Sequence, residues 1–230
     1  MGGTLTPTSD NEGISVDDKK YEKWAALGGV VFVVLSVIGA FIAGSPPKVS
    51  DADQKIVNFT KDNQDALRVA SYLAGLGLAF FLFFLGAVGS RLRRAGTDSG
   101  RLAATAVMGG VATAAIAAVG YSINAYGALH PLESAGTFRL STVVFGVLGF
   151  GAFVFTEATS IVIVRTKFLP AWLGWFGGLV ALLWLVGGAA VSTEDDTIFV
   201  IGFVAFLAWA LWLLVLSVML FRTTDSAPAA

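Results

Sequence analysis

Six stretches of the chain stay apolar long enough to cross a bilayer: Trp24 to Ala43, Leu67 to Gly89, Leu102 to Leu129, Leu140 to Val164, Pro170 to Val191 and Thr197 to Phe221. A hydrocarbon core needs about 20 such residues per helix, and each stretch meets that length. In lipid only helices and closed barrels satisfy their own backbone groups, and runs this long without polar alternation exclude a barrel. The expected fold is an all-α polytopic membrane protein, a bundle of six transmembrane helices over residues 24–221. Residues 1–23 and 222–230 read as short polar tails, the first too poor in apolar residues to hold a fixed structure. The first apolar stretch begins too late and runs too long for a cleaved signal peptide, so it reads as a retained helix.

Only the first connection, residues 44–66, is long. Pro46-Pro47 ends the first span, and Ser50-Asp51-Ala52-Asp53 reads as an N-cap with acid in the first turn. Ile56, Phe59 and Asn63 follow at helical spacing, which predicts a short external helix resting on the membrane or capping the bundle. Asn58-Phe59-Thr60 matches the glycosylation pattern, a three-residue signal that is common by chance.

Basic residues set the expected orientation. With the N-terminus inside, the inner segments hold Lys19, Lys20, Lys23, Arg91, Arg93, Arg94, Arg101, Arg165, Lys167 and Arg222. The outer ones hold Lys48, Lys55, Lys61, Arg68 and Arg139, several of them beside Asp51, Asp53, Asp62 and Asp65. The excess predicts both termini in the cytoplasm, N-in and C-in.

Composition narrows the chemistry. Only 13% of residues are charged against 56% hydrophobic, about half the charge of a soluble domain, and the net charge is −1. That balance offers no field for nucleic acid. The chain has no Cys and a single His, which excludes thiolate chemistry, Cys- or His-cluster metal sites, and gives no reason to expect a cofactor. Its 27 Gly point to close helix packing. Gly28-Gly29 with Gly39, Gly109-Gly110 with Gly120, and Gly177-Gly178 with Gly188 share one interval of eleven residues, about three turns. That spacing fits three tandem hairpins in parallel repeat, or simply small faces that let neighbours approach.

Glu157 is the one charged residue deep inside a span. It sits in Thr156-Glu157-Ala158-Thr159-Ser160, eight residues, or roughly 12 Å of helix, before Arg165. An intramembrane carboxyl is a candidate proton or cation site, here with Thr156 and Ser160 beside it. The structural alternative is a hydrogen-bonded carboxyl or one paired to a snorkelling Arg91 or Arg165.

Towards the other face lie Arg68, Tyr72, Tyr121, Ser122, Asn124, Tyr126 and His130. They read either as an outer polar cavity for a solute anion or proton, or as an aromatic belt with a snorkelling Arg and a helix end at His130-Pro131. Glu194, Asp195 and Asp196 read as N-terminal dipole stabilisers of the last span. Arg91, Arg93, Arg94 and Arg101 fit topology setting and contact with anionic lipid. Pro170 fits the first helical position of the fifth span, with Trp172 and Trp175 as headgroup anchors.

The stretch Phe168-Leu169-Pro170-Ala171-Trp172-Leu173-Gly174-Trp175, with the Pro-Pro first loop and the six-span plan, resembles uncharacterised bacterial six-helix membrane protein families. The resemblance implies architecture and a bacterial inner membrane, and passes no functional residue to this chain.

No Walker loop, HExxH or Gly-x-Ser-x-Gly element is present, so an enzyme is not expected. The function expected from the sequence is a non-enzymatic integral membrane protein. It would act through homo-oligomerisation, or as a subunit or accessory of a membrane complex. The alternative is a small proton- or cation-coupled transporter or channel using Glu157.

Overall fold

The computed structural model describes residues 16–96, 99–193 and 196–223, helical almost throughout. Among the described residues the helices are α1 (Val16–Ala43), α2 (Asp53–Asp62), α3 (Gln64–Arg94), α4 (Ser99–Leu129), α5 (Ser134–Thr166), α6 (Ala171–Gly187) and α7 (Asp196–Thr223). A 3-10 turn at Pro131–Glu133 leads into α5, and another at Gly188–Val191 extends α6. Apart from α2, each is long and apolar enough to cross a membrane, α6 with its 3-10 extension. The protein is therefore an all-helical, multi-pass membrane protein by length and composition.

The helices overrun the apolar stretches, because once a helix is nucleated it propagates through any polar residue of fair propensity. Thus α1 begins at Val16, inside the stretch expected to be a polar tail, and α3 runs on through Arg91, Arg93 and Arg94. The rest of the first tail, residues 224–230, and Glu194 and Asp195 lie outside the described residues.

Helix ends differ in detail from the sequence expectations. After α1, Gly44 takes a left-handed φ of 73° before Pro46-Pro47, which cannot continue a helix. Pro170 is the N-cap of α6, one position before the expected N1, with ψ at 130°. The N-cap of α2 is Ala52, with no side-chain cap. Asp51 instead accepts a hydrogen bond from the Lys48 backbone N–H at 2.8 Å and pairs with Lys55 Nζ at 2.8 Å. The Lys55 ammonium, with that backbone N–H, holds the Asp51 carboxyl below its ordinary value.

Each spanning helix packs on the next in chain order, and α7 closes on α1, which makes a six-membered ring. At one end, the terminal end, Lys23 of α1 lies over the Phe221 ring of α7 at 4.6 Å. At the other, the loop end, α2 packs on the α3, α4 and α5 side of the ring and seats Ile56 and Val57 against Ala135 and Phe138 of α5. Arg139 clamps this loop through three donors: Nη1 to Asp53 Oδ1 at 2.7 Å, Nη2 to the Asp51 carbonyl at 3.1 Å and Nε to the Val49 carbonyl at 3.3 Å.

The glycine pairs explain how the ring closes. Successive helical residues point about 100° apart, so a pair can face both ring neighbours at once. A Cβ on Gly28 would meet the Phe80 carbonyl of α3 at 2.5 Å, while one on Gly29 would meet Ser217 of α7. Gly109 faces the Phe155 backbone nitrogen of α5 at 2.6 Å, and Gly110 faces Leu85 of α3. In α6 Gly177 alone meets both neighbours, Ser160 of α5 and Trp212 of α7, while Gly178 has no close contact. The three helices with pairs, α1, α4 and α6, are thus each pressed onto a neighbour on either side.

About midway along the ring, aromatic side chains from five helices meet at its centre. Trp209 of α7 stands 5.6 Å from Phe81 (α3), 5.9 Å from Phe32 (α1), 5.9 Å from Trp184 (α6) and 6.3 Å from Phe155 (α5), ring centre to ring centre. These contacts are mostly edge-to-face, the geometry that aromatic quadrupoles favour. Trp212, also buried, donates its indole N–H to the Leu173 carbonyl at 3.0 Å.

Candidate functional site

Above the aromatic plug the ring is hollow. A cavity of about 330 Å³ occupies the half towards the loop end, and all six spanning helices contribute to its wall. Phe32, Phe81 and Trp209 form its floor, and its wall rises to Ala43, Leu67 and Ile198 near the helix ends. Among the described residues no charged one lines it. The wall does hold hydroxyl, amide and indole groups, from Ser36, Ser71, Thr113, Tyr121, Asn124, Thr142, Trp184 and Trp209. Thr113 and Thr142 donate to the carbonyls of Gly109 and Phe138, at 2.8 and 2.9 Å, within their own helices. Ser36 Oγ, Trp184 Nε1 and Trp209 Nε1 are buried without a hydrogen-bond partner among the described residues.

The residues of the expected outer cavity separate into three places. Tyr121 and Asn124 line the central cavity, Tyr121 packed on Phe145 at 5.3 Å. Arg68 and Tyr72 are exposed and line a groove on the outside of α3 and α4, which Tyr121 also touches. His130 is at the loop end, stacked on Tyr126 at 4.2 Å with Nδ1 3.1 Å from the Tyr126 carbonyl, and Tyr126 donates to Glu133 at 2.9 Å.

Glu157 is half-buried at the α5–α6 seam, where Gly178 leaves room for its carboxyl: a Cβ there would lie 3.8 Å from Oε2. It is absent from the cavity wall. Thr156 and Ser160 are buried beside it, their hydroxyls without partners among the described residues, and no hydrogen bond joins either to the carboxyl. Neither arginine considered as its partner forms an ion pair with it. Arg91 Nε instead lies 3.7 Å from a different acid, Glu22.

Glu22 was not singled out from the sequence. It accepts a hydrogen bond from Ser90 at 2.7 Å and pairs with Arg94 as well as Arg91, which ties the start of α1 to the end of α3. The available signal was an acid two residues before the first apolar stretch, set between Lys20 and Lys23. Arg93 and Arg101 remain exposed, as do Trp172 and Trp175, so these four are the anchors left facing outward. Among the described residues no group of acids and histidines is placed to hold a metal ion.

No protein-family model, no curated protein and no solved structure matches this chain.

Proposed function

We propose that this is a non-enzymatic integral membrane protein that works by assembling, first of all with a second copy of itself. The observation that carries this reading is an unfilled groove of about 690 Å³ on the outside of the ring, lined by α3 and α4 alone. Its floor is small: Gly75 and Ala79 from α3, Ala115 and Ala118 from α4. A Cβ on Gly75 would meet nothing within 4 Å, whereas Gly28, Gly29, Gly109, Gly110 and Gly177 are pressed against neighbours inside the ring. Association in lipid relies on close packing over small residues, and a two-fold contact lets such a surface meet its own copy.

The termini-inside orientation draws support from the same geometry. At the loop end Lys55, Arg68 and Arg139 are each paired with an aspartate, while Arg93 and Arg101 stay exposed at the terminal end. Lys61 also stays exposed at the loop end, so the support rests on the pairing of the other three there, which leaves the terminal end as the one expected to face the cytoplasm. A bacterial inner membrane is the location we propose, on the resemblance of the Phe168 to Trp175 stretch and the six-span plan alone.

Native mass spectrometry after mild extraction is expected to show a homo-oligomer that Gly75→Leu converts to folded monomer. A monomer in several detergents overturns the proposal, and a stoichiometric foreign subunit reassigns the groove to a partner.

One observation favours proton or cation coupling at Glu157: its carboxyl has no ion-pair partner among the described residues. On that reading Glu157→Gln abolishes pH-dependent flux in proteoliposomes while the protein stays folded. Unchanged flux removes the idea.

A further inference from the structure

We infer that the central cavity is a binding site for one hydrocarbon chain of a membrane lipid, taken from the leaflet at the loop end. The cavity lies within the ring, apart from the outer groove, so this inference does not rest on the assembly reading.

Shape comes first. On α1 the wall runs through Phe32, Ser36, Gly39, Ala40 and Ala43, and on α7 it runs from Trp209 back to Ile198. Each stripe keeps to one helix face for about three turns, so the space is a slot parallel to the helices. Eleven residues separate the ends of either stripe, a depth of roughly 16 Å at ~1.5 Å per residue. One leaflet supplies half of the ~30 Å hydrocarbon core, about 15 Å, so the slot has the depth of one layer of lipid chains. It begins at the aromatic plug, midway along the ring, and rises to the last residue of α1, Ala43. The chains of that leaflet run the same course. With a volume of about 330 Å³ over that depth, the slot is much deeper than it is wide, which suits a chain better than a compact ring.

Polarity is next. Among the described residues no charged one lines the slot. Ser36 Oγ, Trp184 Nε1 and Trp209 Nε1 are sealed from it, and Thr113 and Thr142 spend their hydroxyls on carbonyls of their own helices. The remaining polar side chains of the wall are Ser71, Tyr121 and Asn124, all from α3 and α4. Enclosed water needs about two to four polar partners, and over most of this wall it finds none, so the slot takes an apolar guest instead. Left empty, it would forfeit the dispersion contacts of its lining. Within a bilayer the apolar guest at hand is a lipid chain, whose head stays at the interface and asks for no charge inside the slot.

Ala74→Phe and Ala117→Leu test this, at positions that line the slot and not the outer groove. Solvent extraction of the purified protein after repeated detergent exchange is expected to release about one lipid per chain from the parent, and less than about half that from either filled variant. Tryptophan quenching locates the chain. Trp24, Trp172 and Trp175 are exposed, and replacing them with Phe leaves Trp184 and Trp209 in the slot wall and Trp212 buried. In that background 1-bromododecane, whose bromine quenches on contact, is expected to quench saturably in detergent. Compact 1-bromoadamantane is expected to quench at least about threefold less, and either filling substitution to cut dodecyl quenching at least about twofold. Gly86→Leu, on the open outer surface, should leave both readings unchanged. No retained lipid, quenching without saturation, equal quenching by the two probes, or readings unchanged in both folded filled variants overturns the inference. Oligomeric state is read separately, so a monomer that still retains the lipid fails the assembly reading alone.

Discussion

Gly109→Leu is expected to destabilise the protein by at least the upper part of the ~1–3 kcal/mol typical of overpacking. The obstruction is backbone: a Cβ at this position would lie 2.6 Å from the Phe155 nitrogen and 2.9 Å from a Val154 methyl. A flexible side chain can rotate away, but a helix backbone can yield only if α4 and α5 separate. In a closed ring such a separation is passed to both adjoining seams. Gly86→Leu is the matched control, since a Cβ there meets nothing within 4 Å. It should shift stability by no more than about 0.5 kcal/mol, the usual scale for an uninvolved surface site. Titration with a denaturing detergent, followed by circular dichroism, measures both. Equal stability of the two variants would falsify the claim that the glycine pairs close the ring.

Trp209→Ala carries the other large effect. This side chain is 2% exposed and touches aromatic rings from four other helices, so its removal opens the centre of the ring and joins the void to the cavity above. Trp→Ala substitutions in cores cost about 3–5 kcal/mol. In a membrane the transfer part of that cost shrinks, because lipid tails are as apolar as the protein interior. What remains is lost dispersion and the cavity itself, so a value near the low end is expected. Trp209→Phe keeps a ring against Phe81 and Phe32 and should lose less than half as much. A melting curve in one detergent compares the three proteins. If the alanine variant melts with the parent, the centre is not what holds the ring together.

Particular residues show what could be read early. The spans were legible because the constraint acts on each segment alone: a run of about 20 apolar residues has to be a helix in lipid whatever surrounds it. Ile56 was legible on the first loop, where an apolar residue among polar ones marks a buried face, and it is fully buried on α5. Glu22 was not, because its partners Ser90 and Arg94 lie 68 and 72 residues away and nothing local reports them. Arg139 counted only as one more basic residue, yet its three donors hold the first loop to α5. The outer polar set was a correct inventory of residues without positions: Asn124 faces the cavity, Tyr72 the outside and His130 the helix end.

Glu157 shows the same limit from the opposite side. Burial depth along the chain made it conspicuous, but its direction around the helix decides its chemistry. In a soluble helix that direction is written in the alternation of polar and apolar residues. Inside a bilayer both faces are apolar, so the alternation vanishes, and nothing in a span tells the interior of the ring from its outside. The sequence by itself therefore determined the number of crossings, their helical nature and the poverty of charge, each a property of one segment meeting lipid. Only the tertiary structure decided which glycines are spent closing the ring and which stay open. It alone placed the aromatic plug, and a carboxyl at the seam rather than in the cavity. Those follow from which helices are neighbours, and neighbours in a membrane are chosen by close packing.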